Sequence, residues 1–121
     1  MADFLKGDEE AIQLFSSLPR DEIAVSIITY AELYEGVVGA RDSDVRRRQL
    51  DEVAARLDVL SIDSETARLF AEHRASLRRR GAPIPDLDLL IAATALRHDL
   101  TLLSRDRHFE RVTGLKRHSV A

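Results

Sequence analysis

Three carboxylates in this chain of 121 residues, Glu32, Asp88 and Asp106, stand where side chains from separate elements could act together. Hard divalent cations such as Mg²⁺ and Mn²⁺ prefer oxygen ligands and keep several waters, so a few carboxylates and a substrate phosphate make a natural site. An ion held there would lower the pKa of a coordinated water and neutralise charge building on a scissile phosphate. Without an ion, converging carboxylates repel one another. Each acid also has a structural role open to it. Glu32 suits the third position of a capping box opened by Thr29, Asp88 a first helical turn favoured by the helix dipole, and Asp106 the cap of a short turn. Joint placement separates the two readings, and that depends on the elements carrying the acids.

The stretch from Ile84 to Asp106, IPDLDLLIAATALRHDLTLLSRD, organises the rest. Leu89 to Leu96 is too long an apolar run for an ordinary strand and rich in small residues, which predicts a buried helix headed by Asp88. Pro83 and Pro85 mark its start, and Asp86 reads as its cap. Leu100 to Ser104 then forms a short apolar segment that stops at Arg105 and Asp106, as a buried parallel strand does at its carboxyl end. Ligands of open α/β sheets collect at such ends, where helix amino termini also point.

Upstream, Ala2 to Leu5 reads as the tail of an element, and Asp8 caps a short helix over Glu9 to Ser17. Glu22 to Ile28, EIAVSII, is a β-branched run suited to a buried strand; Thr29 then caps a helix over Tyr30 to Val38. Apolar residues recur at helical spacing from Ser43 to Leu57. Asp58 to Ile62 is the next short strand, and a helix from Asp63 or Ser64 runs to the arginine triplet Arg78, Arg79, Arg80 and closes at Gly81. Phe109 and Val112 suggest a short helical turn, and Lys116 to Val120 a last edge strand. Alternating strands and helices predict an α/β parallel sheet flanked by helices.

Composition bounds the function. The length fits a single domain, residues 1–121, and the 45% hydrophobic and 32% charged residues are those of a folded protein. There is no cysteine, which excludes disulfides and thiolate metal sites. No run approaches a membrane span and MADFLKGDEE is no signal peptide, so the expectation is cytoplasmic with no membrane partner. Net charge is −3, but 16 of the 18 basic residues are arginine. The triplets Arg46, Arg47, Arg48 and Arg78, Arg79, Arg80 read either as solvated helix faces or as phosphate-holding forks beside an acidic site. His73, His98, His108 and His118 lack an i, i+4 ligand spacing and read as surface or partner-facing residues.

YAELYEG at Tyr30 to Gly36, DLLIAATAL at Asp88 to Leu96 and LTLLSRDRHFERV at Leu100 to Val112 resemble the ordered motifs of PIN-domain ribonucleases, most closely the VapC-type toxins of bacterial toxin–antitoxin pairs. The resemblance implies an endoribonuclease dependent on Mg²⁺ or Mn²⁺, with Glu32, Asp88 and Asp106 matching the family's second, third and fourth acids. Ser104 would be the hydroxyl residue beside the site, and Thr29 would line it. It further implies an RNA substrate, a cognate antitoxin that occludes the acidic pocket, and a homodimer. Family members open with a buried central strand ending in Asp followed by Thr or Ser, and this sequence resembles the family only after that strand. The expectation is therefore a domain truncated at its amino terminus, missing that central strand and the first acid, with Asp3 no substitute and activity impaired. The frame upstream of Met1 would then encode the absent strand. The alternative is a catalytically inactive PIN-like module that dimerises and binds an antitoxin. A receiver or dehalogenase-like phosphotransferase would need a nucleophilic Asp at the first strand and a suitably placed lysine, and only Lys6 and Lys116 exist.

Overall fold

The computed structural model describes residues 3–5, 23–56, 58–104 and 106–118. Among these, β1 (Asp3–Leu5), β2 (Ile23–Ser26), β3 (Asp58–Leu60), β4 (Thr101–Leu103) and β5 (Arg117–His118) form one sheet in the order β3-β2-β1-β4-β5. Every neighbouring pair is parallel. The helices are α1 (Ile27–Val38), α2 (Ser43–Ala54), α3 (Ser64–Arg79) and α4 (Asp86–Arg97), and a 3-10 turn spans Arg107–Arg111. The helix expected over Glu9 to Ser17, the apolar position Leu57 and the strand residues beyond His118 lie outside the described residues.

One expectation is overturned at the middle of the sheet. The central position is filled by β1, with Asp3 opposite both Ile23 of β2 and Thr101 of β4. The physical reason is backbone satisfaction: a gap between β2 and β4 would orphan donors and acceptors on both, and strand pairing needs only main-chain groups. Asp3 thus belongs to a strand. Chain order reverses between β1 and β4, which puts the topological switch point, and the carboxyl end of β4 that precedes Asp106, at the middle of the sheet.

The first helix also begins earlier than its sequence suggests. Ser26, not Thr29, is the N-cap of α1, and its Oγ accepts the Thr29 N–H at 2.9 Å. Strand β2 therefore runs straight into the helix, and Ile27 and Ile28 are helical despite their β-branched side chains. A local cap outweighs a weak β preference there.

Buried α4 is the keystone of the core: Leu89, Ile91, Ala92, Ala93 and Ala95 are all almost fully excluded from solvent, as the apolar run predicts. Leu89, Ile91, Ala92 and Ala95 pack with Leu77 of α3, Leu102 of β4 and Phe109 of the 3-10 turn. Helix α3 ends as expected at Gly81, whose positive φ of 66° lets the Ala82 N–H reach Leu77 O at 2.9 Å and the Gly81 N–H reach Arg78 O at 3.0 Å. Asp99 (φ 53°) closes α4 the same way, with the Leu100 N–H on Ala95 O at 2.9 Å, and so aims the chain into β4.

The cap of α3 carries a pH dependence. Asp63 accepts the Thr66 backbone N–H and hydroxyl, both at 2.8 Å, and takes Arg97 from the end of α4 at 3.1 Å. Chiefly through the Thr66 N–H, these bonds lower its pKa from 3.8 to about 2. A depressed folded-state pKa contributes stability above the unfolded value and loses it as pH falls through the folded one. The melting temperature should therefore drop between pH 4 and pH 2, and Asp63→Asn, which keeps a capping oxygen without titrating, should drop less over that window. Parallel curves for the two proteins would refute the assignment.

Candidate metal centre

Asp88 and Asp106 come together, and a histidine joins them. One ligand atom from each of Asp88, Asp106 and His108 lies within 4.8 Å of the others. The three arrive from two directions: Asp88 from the third position of α4, and Asp106 and His108 from the turn after β4.

Local structure explains each placement. Pro85 stands at the N-cap of α4, where it makes no side-chain cap bond, so the helix's first-turn acids are Asp86 and Asp88. Asp86, at the first position rather than the cap, turns outward to Arg74, which donates to it at 2.8 and 3.2 Å and holds its carboxyl below the usual range. Asp88 turns inward, its side chain 9% exposed. Asp106 precedes the 3-10 turn without making a side-chain capping bond, so the role of a mere cap does not account for it. Its N–H is held by Ser104 Oγ at 3.1 Å, the short i, i+2 closure that serine favours in turns. Ser104 is buried and shapes the loop that presents Asp106.

The histidine was not foreseen, because ligand-spacing rules describe one continuous helix. Here the pair Asp106 and His108 straddles a strand-to-3-10 junction, and the packing of Phe109 points the neighbouring ring inward. His108 Nε2 lies 3.0 Å from Asp88 Oδ2, and its ring sits 4.6 Å from that of Phe109, centroid to centroid. The His–Asp contact has the distance of an ion pair but not the alignment of a hydrogen bond.

Glu32 does not join the cluster. It is half-buried, with Oε1 sealed from solvent, and lies on the second turn of α1, which packs against α4. Because Ser26 is the cap, Glu32 is six positions into the helix and its capping-box explanation fails. Thr29 is fully buried and bonded to Ser26, a local helix-start contact.

Two carboxylates within 4.8 Å repel by about 1 kcal/mol in water and about 3 kcal/mol at an effective dielectric near 20. A divalent cation relieves this. Ligands of an octahedral Mg²⁺ lie at most about 4.2 Å apart, so the cluster needs only small side-chain adjustments to close on an ion. Two carboxylate oxygens suit Mg²⁺ or Mn²⁺, and an imidazole tilts the preference toward Mn²⁺. The donor set thus fits the expected cofactor.

The PIN-domain family matches residues 1–115. Ribonuclease VapC5 of Mycobacterium tuberculosis is 33% identical over 108 residues, covering 88% of this chain and 80% of that protein. The tRNA(fMet)-specific endonuclease VapC of Shigella flexneri is 30% identical over 116 residues, 93% of this chain and 86% of its own. The crystal structure of VapBC2 from Rickettsia felis bound to a DNA fragment from their promoter superimposes with a TM-score of 0.84 at 25% identity, covering 100% of both chains. The chain belongs to the PIN-domain family and, within it, to the VapC ribonucleases.

Proposed function

We propose that this protein is a Mn²⁺- or Mg²⁺-dependent endoribonuclease toxin that hydrolyses phosphodiester bonds in RNA and is silenced by a cognate antitoxin. The convergence of Asp88, Asp106 and His108 at the sheet's switch point carries this reading. When bound, the ion supplies Lewis-acid polarisation of the phosphate and an acidified water as nucleophile. Asp88, Asp106 and His108 hold it; Glu32, outside the direct cluster, orients water or substrate from α1.

Partners follow by analogy with the relatives' VapBC complexes. Ile27, Tyr34 and Val38 line one stripe of α1 and are 37%, 37% and 68% exposed, apolar surface for the antitoxin in the homodimer. The test is incubation of single-stranded RNA and of transfer RNA with the protein in Mn²⁺, in Mg²⁺ and in EDTA. Cleavage confined to the metal-containing samples supports the reading; RNA left intact under all three, with antitoxin still bound, would make the protein a binding module.

The arginine triplets divide once their partners are seen. Arg46 and Arg47 pair with Asp42 and Asp44 beside them in sequence, at 3.1 and 3.2 Å, the solvated-face reading. Arg80 donates to Arg111 O at 2.6 Å, while Arg111 donates to Pro83 O at 2.9 Å, so both brace the loop before α4. Arg78 and Arg79 remain exposed for phosphate. Replacing those two by Gln should flatten the slope of log affinity for single-stranded RNA against log salt by about 0.7 for each phosphate no longer neutralised. An unchanged slope would return them to a solvated face.

A further inference from the structure

Asp106 and His108, two of the three clustered ligands, lie between Ser104 and Glu110, where the described residues form no regular element except one 3-10 turn. Such a segment holds a ligand in place only if something outside it does the holding. Phe109 anchors it in the core. Its two ends meet at a single side chain.

That side chain is Arg117 of β5, only 12% exposed. Its backbone pairs with Leu102 in the sheet, and its guanidinium reaches along β4 beyond the last strand residue. Nη2 donates to Ser104 O at 3.0 Å, and Nη1 lies 3.5 Å from Glu110 Oε1. The first arm acts on the same serine whose Oγ holds the Asp106 N–H. Buried Nε has no hydrogen-bond partner among the described residues. A guanidinium cannot shed its charge, so burying one with a donor unspent is a cost that needs a compensating role.

We propose that Arg117 is a positioning residue of the metal centre: by clamping Ser104 and Glu110 together it sets where Asp106 and His108 meet Asp88. It is not one of the clustered ligands. The proposal rests on the cluster being a metal site, and the experiment separates the two. Outer partners that orient metal ligands typically account for 10- to 100-fold in affinity. The full chain with Arg117→Met should therefore bind Mn²⁺ about 10-fold or more weakly by calorimetric titration, and Arg117→Lys, which keeps the charge and one arm, should recover part of the loss. In metal-free protein, amide hydrogen exchange of the peptide spanning 104–110 should quicken in Arg117→Met while exchange in α3 and α4 holds.

A folded Arg117→Met protein with native Mn²⁺ affinity and native exchange overturns the proposal. If Arg117→Met does not fold, Arg117→Lys and Glu110→Gln decide it, and native affinity in both overturns it. Asp106→Asn is the control on the site. If that change leaves Mn²⁺ binding intact, the metal reading fails, and the metal-free exchange experiment still decides whether Arg117 holds the segment.

Discussion

Asp88→Asn should remove most of the stabilisation by Mn²⁺ and most of the RNA cleavage, the largest effect of any single substitution expected here. Asp88 is the most buried member of the cluster and the only one brought by α4. An ion that binds only the folded chain stabilises it by RT ln(1 + [L]/Kd), about 2.7 kcal/mol at 100 times Kd. For a domain of this size that is a rise in melting temperature on the order of 10 °C. The asparagine variant should lose most of that rise. In metal-free buffer it should keep its melting temperature or gain slightly, since it removes carboxylate repulsion along with the His108 contact. Cleavage should fall at least about 100-fold, because a Lewis-acid contribution of several kcal/mol is forfeited and each 1.36 kcal/mol is tenfold. A variant that rises as far as the wild type in Mn²⁺ would refute the site. His108→Ala refines the picture: it should weaken Mn²⁺ more than Mg²⁺ if the imidazole is a ligand, and both equally if His108 merely pairs with Asp88.

Phe109→Ala should cost about 3–5 kcal/mol, a large share of the roughly 5–15 kcal/mol that holds a domain together. Phe109 is 1% exposed, the largest fully buried side chain among the described residues, and sits in the main core cluster. With a urea dependence of about 1–3 kcal/mol per molar, the unfolding midpoint should fall by about 2 M. The packing also reaches the site, because the Phe109 ring backs the imidazole of His108 at 4.6 Å. Phe109→Leu, which keeps most of the buried surface, should leave the chain folded but shrink its response to Mn²⁺. A midpoint shift under about 0.5 M for the alanine variant would show that the turn is not anchored as described.

Legibility followed the range of the interactions involved. The buried helix from Asp86 to Arg97, the strand after it and the closure at Gly81 were readable because periodicity, small residues and a left-handed glycine act within a few residues. The acids at the head of α4 and after β4 were readable for the same reason, since each lies at the end of a recognisable element. Ser26 as the cap of α1 was obscured by the apolar run Ile23 to Ile28, whose β-branched residues look alike whether paired in a strand or packed in a helix. Arg80 looked the same as Arg78 because nothing local reveals that a carbonyl 31 residues away accepts from it.

The order of elements, the parallel class and the candidacy of Asp88 and Asp106 were already contained in the chain, as consequences of local pattern and of the rule that ligands gather at strand carboxyl ends. Tertiary structure alone decided the rest. It placed Asp3–Leu5 in the middle of the sheet, because main-chain pairing between β2 and β4 requires a strand there whatever its side chains. It admitted His108 to the cluster and left Glu32 outside, because those distances are set by how Phe109 seats the 3-10 turn and how α1 lies on α4. It also brought Arg117 back across β4 to Ser104, joining an edge strand to the loop that carries two of the ligands.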